Sequence, residues 1–410
     1  MKYEVDIVKG FQDFLPPDSI KRDAIKKVIS KWFKLYGFVP VETPVIEFDE
    51  TMRTDALPSE TEDEAVSERF RLQDRGGRKL GLRYEFTFQL ARIFKQNPNI
   101  KLPFKRYQIG EVFRDEPVTQ KRFKQFTQCD VDIVGDYETK ADAECLALFS
   151  DILKELNIDC EIQVNNRRLL EAIIESVELK NSRNVMKELD KMEKLGEDEV
   201  KTNLRKYGSI NQIITLFKLL EKNMEFFKEN SFDGVDELQS LIDECKLQGV
   251  QIKINPFLAR GLSYYTGNIF EVKSQDKYSI AAGGRYDKTV GKYLNKNIPA
   301  VGISFGLERL TDLAKITPKI IPQVLIVSIN QNAEAIKLAK KLRKEKISCS
   351  IERSKPSSSL DYANSLAIPY AIFVGKDEIE SKKFKLKDMS SGIEESLNEK
   401  QLLKKLKEKD

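Results

Sequence analysis

Residues 110–135 read GEVFRDEPVTQKRFKQFTQCDVDIVG. They contain the end of one strand, a polar loop and a second strand. Successive side chains of an extended chain point to opposite faces. Gln128, Asp130 and Asp132 therefore share one face, and Cys129, Val131 and Ile133 the other. The apolar set belongs against a core, so the polar set faces a solvated cleft or a ligand. Arg114 ends the first strand, followed by Asp115 and Glu116. Lys121, Arg122 and Lys124 lie in or beside the loop, close to Phe123 and Phe126. A guanidinium grips phosphate through paired hydrogen bonds and an aromatic ring stacks on a base, so this set suits a nucleotide. An ordinary charged hairpin on a sheet edge has the same composition.

Upstream, SIKRDAIKKVISKWFKLYG repeats Ile25, Val28, Ile29, Trp32, Phe33 and Tyr36 at helical spacing, with Ser19 as cap and Gly37 as stop. FVPVETPVIEF is a strand broken by prolines, which places it at an edge or end. RFRLQDRGGRKLGLRYEFT forms a hairpin turning at Asp74 to Gly77, with Glu85 and Thr87 on one strand face. FTFQLARIF is helical. Downstream, ADAECLALFSDILKELNI is an amphipathic helix ending near Asn157. A Lys-, Glu-, Leu- and Asn-rich stretch, about 167–246, is helical throughout and is expected as an insertion.

Strands resume at VQIKINPFLARGLSYYTGNIFEVKS and YSIAAGGRYD, and AVGISFGLERLTDLAK is strand, glycine corner and helix. Arg260, Tyr264, Tyr265 and Thr266 cluster between Gly261 and Gly267, as a small-molecule pocket would need. Gly283 and Gly284 are expected to bring backbone near a ligand. Arg309 falls in the first helical turn after Gly306, an anion-binding arrangement. After the proline-marked linker ITPKIIPQ, strands and helices alternate through VLIVSI, AEAIKLAKKLRKEK, ISCSIE, SLDYANSLAI and YAIFVG. This predicts an α/β module with a parallel-leaning sheet. NEKQLLKKLKEKD is a basic helix or a frayed end.

The chain has 410 residues, enough for two or three domains, and is 40% hydrophobic and 33% charged. It contains no histidine. That excludes Ser-His-Asp and Cys-His nucleophilic sites and removes the commonest metal ligand and general base. Chemistry must run on carboxylates, Arg, Lys, Tyr, backbone dipoles or a phosphate-bound metal. Lys and Arg number 69 against 65 Asp and Glu, a net +4 that allows local basic patches but no overall coat. Cys129, Cys145, Cys160, Cys245 and Cys349 form no CxxC pair and are expected as buried thiols in a reducing cytoplasm. The N-terminal stretch has no apolar signal core, and no run is long enough to span a bilayer, so a soluble cytoplasmic protein is expected.

Taken in order, these segments resemble the histidyl-tRNA synthetase family of class II aminoacyl-tRNA synthetases over nearly the whole chain. KGFQDFLPPD resembles its N-terminal signature. YGFVPVETPVIE, RYQIGEVFRDEPVTQKRFKQF and GISFGLERL resemble class II motifs 1, 2 and 3. LRYEFT, LARGLSYYTG and AAGGRYD resemble the histidine-specific signatures. The implied fold is α+β: an antiparallel-sheet catalytic domain over 1–322 with a helical insertion at about 167–246, then an α/β anticodon-binding domain over 323–410.

The resemblance implies a ligase that activates histidine with ATP and Mg²⁺ and transfers it to tRNA(His). It places the catalytic arginines at Arg260 and Arg114. Arg114, Glu116, Arg122, Phe126 and Arg309 would bind ATP, with Phe126 stacked on adenine. Glu85, Thr87, Gln128, Asp132, Tyr264, Tyr265 and Tyr286 would bind histidine. Motif 1, with Pro44, implies a homodimer. Ser263 stands where the family usually has Asp, and Ser357 to Ser359 where a Gly- and Lys-rich turn is common. The alternative is a non-catalytic paralogue, the histidine-sensing regulatory subunit of ATP phosphoribosyltransferase. Such paralogues lack the anticodon domain and the catalytic arginines.

Overall fold

The computed structural model describes residues 5–52, 68–119, 122–259, 264–275, 278–318 and 320–408. The chain divides into two compact units, Met1–Ile316 and Thr317–Asp410.

In the first unit the strands are β1 (Val39–Pro40), β2 (Ile46–Phe48), β3 (Arg71–Gln73), β4 (Lys79–Leu82), β5 (Phe104–Phe113), β6 (Gln125–Val134), β7 (Cys160–Asn166), β8 (Lys253–Ile254), β9 (Asn268–Ser274), β10 (Ser279–Arg285) and β11 (Ala300–Gly306). Eight of them form one sheet in the order β1-β5-β6-β11-β10-β9-β7-β8. Its central pairs are antiparallel, and only the short end strands β1 and β8 pair parallel. An antiparallel sheet can cover one face and leave the other wet. Here Cys129, Val131 and Ile133 are at most 1% exposed on the covered face. The proline-broken segment supplies edge strand β1 and also β2, which joins β4 and β3 in a small separate sheet. The β3–β4 turn closes with the Gly77 amide on the Asp74 carbonyl.

Two helices cover the apolar face. The first, α1 (Asp18–Leu35), buries Ile25, Ile29 and Phe33, one turn apart. Pro17 holds its N-cap position with no side-chain cap; Ser19 lies inside the helix, correcting the expected cap. Gly37, at φ +80°, ends it in a conformation that disfavours a Cβ. Helix α2 (Phe88–Gln96) follows the hairpin, and α3 (Lys140–Glu155) packs beside α1. Trp32 Nε1 donates to Glu155 Oε2 at 2.6 Å, and the Tyr36 hydroxyl to Asp151 at 2.6 Å. Phe149 of α3 stacks on Phe305 of β11 at 3.8 Å. α3 is buried on nearly all sides, Asp142 included, so it is less amphipathic than its pattern suggests.

Residues 167–247 form seven helices, α4 (Arg167–Ser176), α5 (Ser182–Leu189), α6 (Met192–Leu195), α7 (Glu197–Leu204), α8 (Ile210–Leu220), α9 (Met224–Glu229) and α10 (Val235–Leu247). Their apolar sides join the cluster that lies under the sheet. The last helix of the unit, α11 (Leu307–Leu313), leaves β11 directly. Of the cysteines, Cys129, Cys145 and Cys245 are buried, but Cys160 is exposed and Cys349 half-buried, contrary to expectation. No helix among the described residues is long and apolar enough to cross a membrane.

The second unit holds β12 (Val324–Ser328), α12 (Asn332–Lys344), β13 (Cys349–Glu352), α13 (Pro356–Ser365), β14 (Tyr370–Val374), α14 (Lys376–Ser381), β15 (Lys383–Asp388), β16 (Glu394–Asn398) and α15 (Glu399–Glu408). The sheet order is β13-β12-β14-β15-β16, parallel through β14 and antiparallel beyond. The tail is a docked helix: Leu402 and Leu406 are fully buried. The serine run opens α13, where buried Ser359 shares a 2.8 Å hydrogen bond with Ser354.

Candidate active site

The opposite, polar face of the sheet carries the residues expected there, most of them buried. Register sets Arg106, Gln108 and Gly110 of β5 beside Asp132, Asp130 and Gln128 of β6. Ser304 and Gly306 of β11 flank Asp130 and Gln128 from the other side.

At one end lies the candidate histidine pocket, a cluster of buried polar and aromatic side chains. Tyr264, Tyr265 and Tyr286 are buried, with ring centroids 5.0 Å apart for the first two and 5.8 Å for Tyr264 and Tyr286. The Tyr264 hydroxyl donates to Glu85 Oε2 at 2.9 Å, and Tyr286 donates to Asp132. Burial raises both phenols well above their ordinary range, so they act as donors. Glu85 and Thr87 do not share a strand face. β4 ends at Leu82, and the two residues sit on its connection to α2, with Thr87 at the helix N-cap position. Both are nonetheless buried at the pocket.

Asp132 pairs with Arg106 at 2.5 Å, and burial raises its pKa despite that neighbour. Arg106 is fully buried, donates to the Phe86 carbonyl at 3.2 Å and was not anticipated from sequence. Only the β5–β6 register reveals it, by setting it opposite Asp132. Gly302 leaves room for this carboxylate: a Cβ there would clash with Asp132 Oδ1. Gly284 similarly lets the Tyr265 ring lie against the strand, and Gly283 meets the backbone of Gly302 and Ile303. Both glycines therefore serve packing within the sheet wall. Arg285 turns away from the pocket and pairs with Asp142.

At the other end lie the cations. Arg114 rests over Tyr84 at 4.3 Å and Phe126 at 5.0 Å, and its buried Nε has no partner among the described residues. Glu116 lies 4.0 Å from Arg114 and 2.7 Å from Arg122, whose side chain is 63% exposed. Arg309, in the first turn of α11, donates to the Ser279 carbonyl of β10. The structure thus joins Arg114, Glu116, Arg122 and Phe126 in one contact set, with Arg309 on the neighbouring strand-to-helix turn. Arg260, Gly261 and Ser263 lie outside the described residues, as does Lys121.

An antiparallel sheet with an arginine just after the first strand of motif 2 and another after the motif 3 strand is the class II synthetase architecture. A histidyl-tRNA synthetase family model matches residues 10–310, and an anticodon binding domain model matches 323–409. The chain belongs to the histidyl-tRNA synthetase family. It is 38% identical over 415 aligned residues to a histidine–tRNA ligase 1 of Bacillus cereus, covering 95% of this chain and 94% of that one. The crystal structure of histidyl-tRNA synthetase from Nostoc superposes with a TM-score of 0.87 at 27% identity, covering all of both chains. A Bacillus halodurans structure described as an ATP phosphoribosyltransferase regulatory subunit/histidyl-tRNA synthetase shares the fold, with a TM-score of 0.75 at 22% identity over 89% of this chain and 97% of that one.

Proposed function

We propose that this chain is a histidine–tRNA ligase working in two steps at one cleft. The histidine carboxylate attacks the α-phosphorus of ATP, forming histidyl-adenylate as pyrophosphate leaves. A hydroxyl of the terminal ribose of tRNA(His) then attacks the acyl carbon, and AMP leaves. The observation that carries this reading is the near-full-length family match, in which both family models fall on one chain.

The cleft chemistry supports it. Both reactants of the first step are anions, so positioning and charge neutralisation are the main tasks, and no histidine base is needed. Arg114 would hold the α-phosphate and the carboxylate, opposite Arg260. Glu116 would reach adenine, Phe126 would stack on it, and Arg122 and Arg309 would hold the outer phosphates. Glu85, Thr87, Gln128 and Tyr265 would take the α-ammonium. Tyr264, Tyr286 and Asp132 would face the imidazole. Asp132, held by Arg106 and Tyr286, offers the acceptor that an imidazole N–H needs. Polar pockets of this kind reject ligands that leave their buried groups unpaired, by roughly 10⁴ or more.

Mg²⁺ fits as an ion carried on the ATP phosphates, where it would offset their charge. The described residues hold no cluster of three or more His, Cys, Asp or Glu side chains that would form a protein cage. The regulatory-subunit alternative has less support, because the anticodon-domain match and the arginines Arg114, Arg260 and Arg309 are all present. ATP–pyrophosphate exchange that requires histidine tests the reading directly. Histidine binding without exchange would favour the regulatory alternative.

The division into a catalytic domain over 1–322 and an anticodon-binding domain over 323–410 gives a further expectation. Deleting 323–410 should spare exchange and abolish tRNA charging. Loss of both activities would refute the division of labour. Homodimerisation through motif 1 is also proposed; exposed Val39, Val45, Ile46, Phe48 and Leu72 in and around its strands offer apolar area for a twofold contact. Light scattering should give twice the 47.2 kDa chain mass, and a monomer at micromolar concentration would count against it.

A further inference from the structure

Two residues on the polar face, Asp130 and Ser304, have no part in the site assigned above. Ser304 lies directly across from Asp130, and Gly306 across from Gln128. The Ser304 hydroxyl donates to Asp130 Oδ1 and accepts from Gln128 Nε2 at 3.0 Å. A serine hydroxyl has a single proton to give. With that proton committed to Asp130, Gln128 can approach only with its NH₂ group. The amide oxygen is thereby turned away from Ser304. Gln128 Oε1 is buried and has no hydrogen-bond partner among the described residues. An unpaired buried acceptor is costly unless a ligand donates to it.

We propose that Asp130 and Ser304 are positioning residues that fix the amide of Gln128 with its oxygen towards the α-ammonium of histidine. The proposal rests on the assignment of Gln128 to the amine. Without the Ser304 hydroxyl the amide is free to turn over, and in the turned state an NH₂ group would meet the ammonium, donor against donor. Asp130 is 6% exposed and sits among Arg106, Asp132 and Glu85. Burial raises its pKa to about 8, with Asp132 adding to the rise and Arg106 opposing it. Ionised, Asp130 can only accept, which holds the Ser304 proton; protonated, it can also donate, which would free that proton for the Gln128 amide oxygen. The chain of hydrogen bonds therefore needs an accepting oxygen at 130 and a hydroxyl at 304.

The test uses two probes on the full chain, titrated calorimetrically. Histidinol has the amine and imidazole but no carboxylate; 3-(imidazol-4-yl)propanoate has the imidazole and carboxylate but no amine. Ser304→Ala should raise the histidinol Kd about tenfold, the worth of one hydrogen bond to a charged group, and leave the propanoate within about twofold. In turnover, the KM for histidine should rise while the KM for ATP holds. Ser304→Thr, which retains the hydroxyl, should bind histidinol as the parent does. Equal weakening of both probes by Ser304→Ala would mean general damage to the pocket and would overturn the proposal. Gln128→Leu separates the layers. If it weakens histidinol and Ser304→Ala does not, the relay is wrong and the assignment of Gln128 stands. If it leaves histidinol unaffected, the assignment falls and the relay with it.

Discussion

Arg114→Ala should lower the kcat of histidine-dependent adenylation by roughly 10²–10³-fold, the usual cost of removing one preorganised donor from the developing charge. The side chain is already placed in the ligand-free protein. Tyr84 and Phe126 flank it, Glu116 lies 4.0 Å away, and its buried Nε awaits a partner. Such a guanidinium needs little rearrangement as charge shifts on the α-phosphate, so its contribution falls mainly on the transition state. Arg114→Lys should recover little of the loss. Lysine keeps the charge but has no planar fork for two phosphate oxygens and stacks poorly between rings. Arg260→Lys should lose about 10²-fold for the same reason, if it grips the phosphate from the opposite side as the family resemblance implies. The ATP KM should move far less in either variant, because Arg122 and Arg309 would retain the outer phosphates. Single-turnover adenylate formation separates the two effects. A near-normal rate with a raised ATP KM would assign these arginines to ground-state binding.

Asp142→Ala should destabilise the first unit by about 3–5 kcal/mol, the cost of leaving one member of a buried ion pair alone. Asp142 is fully buried and Arg285 is 2% exposed. They pair with one another, and Arg285 also donates to the carbonyls of Asp136 at 2.9 Å and Glu138 at 3.0 Å. One side chain thus ties β10 to the entry of α3. Trp32, the sole tryptophan, lies in this unit and reports its unfolding. Replacing both partners with apolar residues should recover most of the loss, since no unpaired charge remains. Burial lifts the Asp142 carboxyl to about 6, although Arg285 pulls it down. The folded protein therefore holds this proton more tightly than the unfolded chain does. The group's contribution to stability is full below about pH 4 and is lost as pH rises through 6. Asp142→Asn should flatten the stability profile in that window, and an unchanged slope would assign it to other groups.

The strand alternation in QCDVDIV was enough to place Gln128 and Asp132 on the face away from the apolar core, because a period of two has only one way to bury Cys129, Val131 and Ile133. Arg106 was not legible. Its environment depends on a register between strands that no single strand carries, and a lone arginine in a sequence is usually solvated. Asp130 was placed on that face too, but its link to Ser304 escaped for the same reason: the hydrogen bond that joins them crosses from β6 to β11, far apart in the chain. Glu85 and Thr87 were expected on one strand face and sit instead on a connection, since LRYEFT alternates like a strand but the chain turns after Leu82. In the second unit β15 and β16 were missed. Their exposed Lys and Glu residues, such as Lys385 and Glu394 paired at 3.6 Å, hide the apolar alternation, and Leu386 is the one fully apolar buried anchor on β15.

A histidine–tRNA ligase whose own chain contains no histidine has a practical consequence. In a nuclear magnetic resonance spectrum of this chain with its substrate, every histidine ring signal comes from the substrate. The ring-nitrogen signals, which report tautomer and protonation state, can be followed from free amino acid to adenylate to ester with no overlap from histidines of the protein.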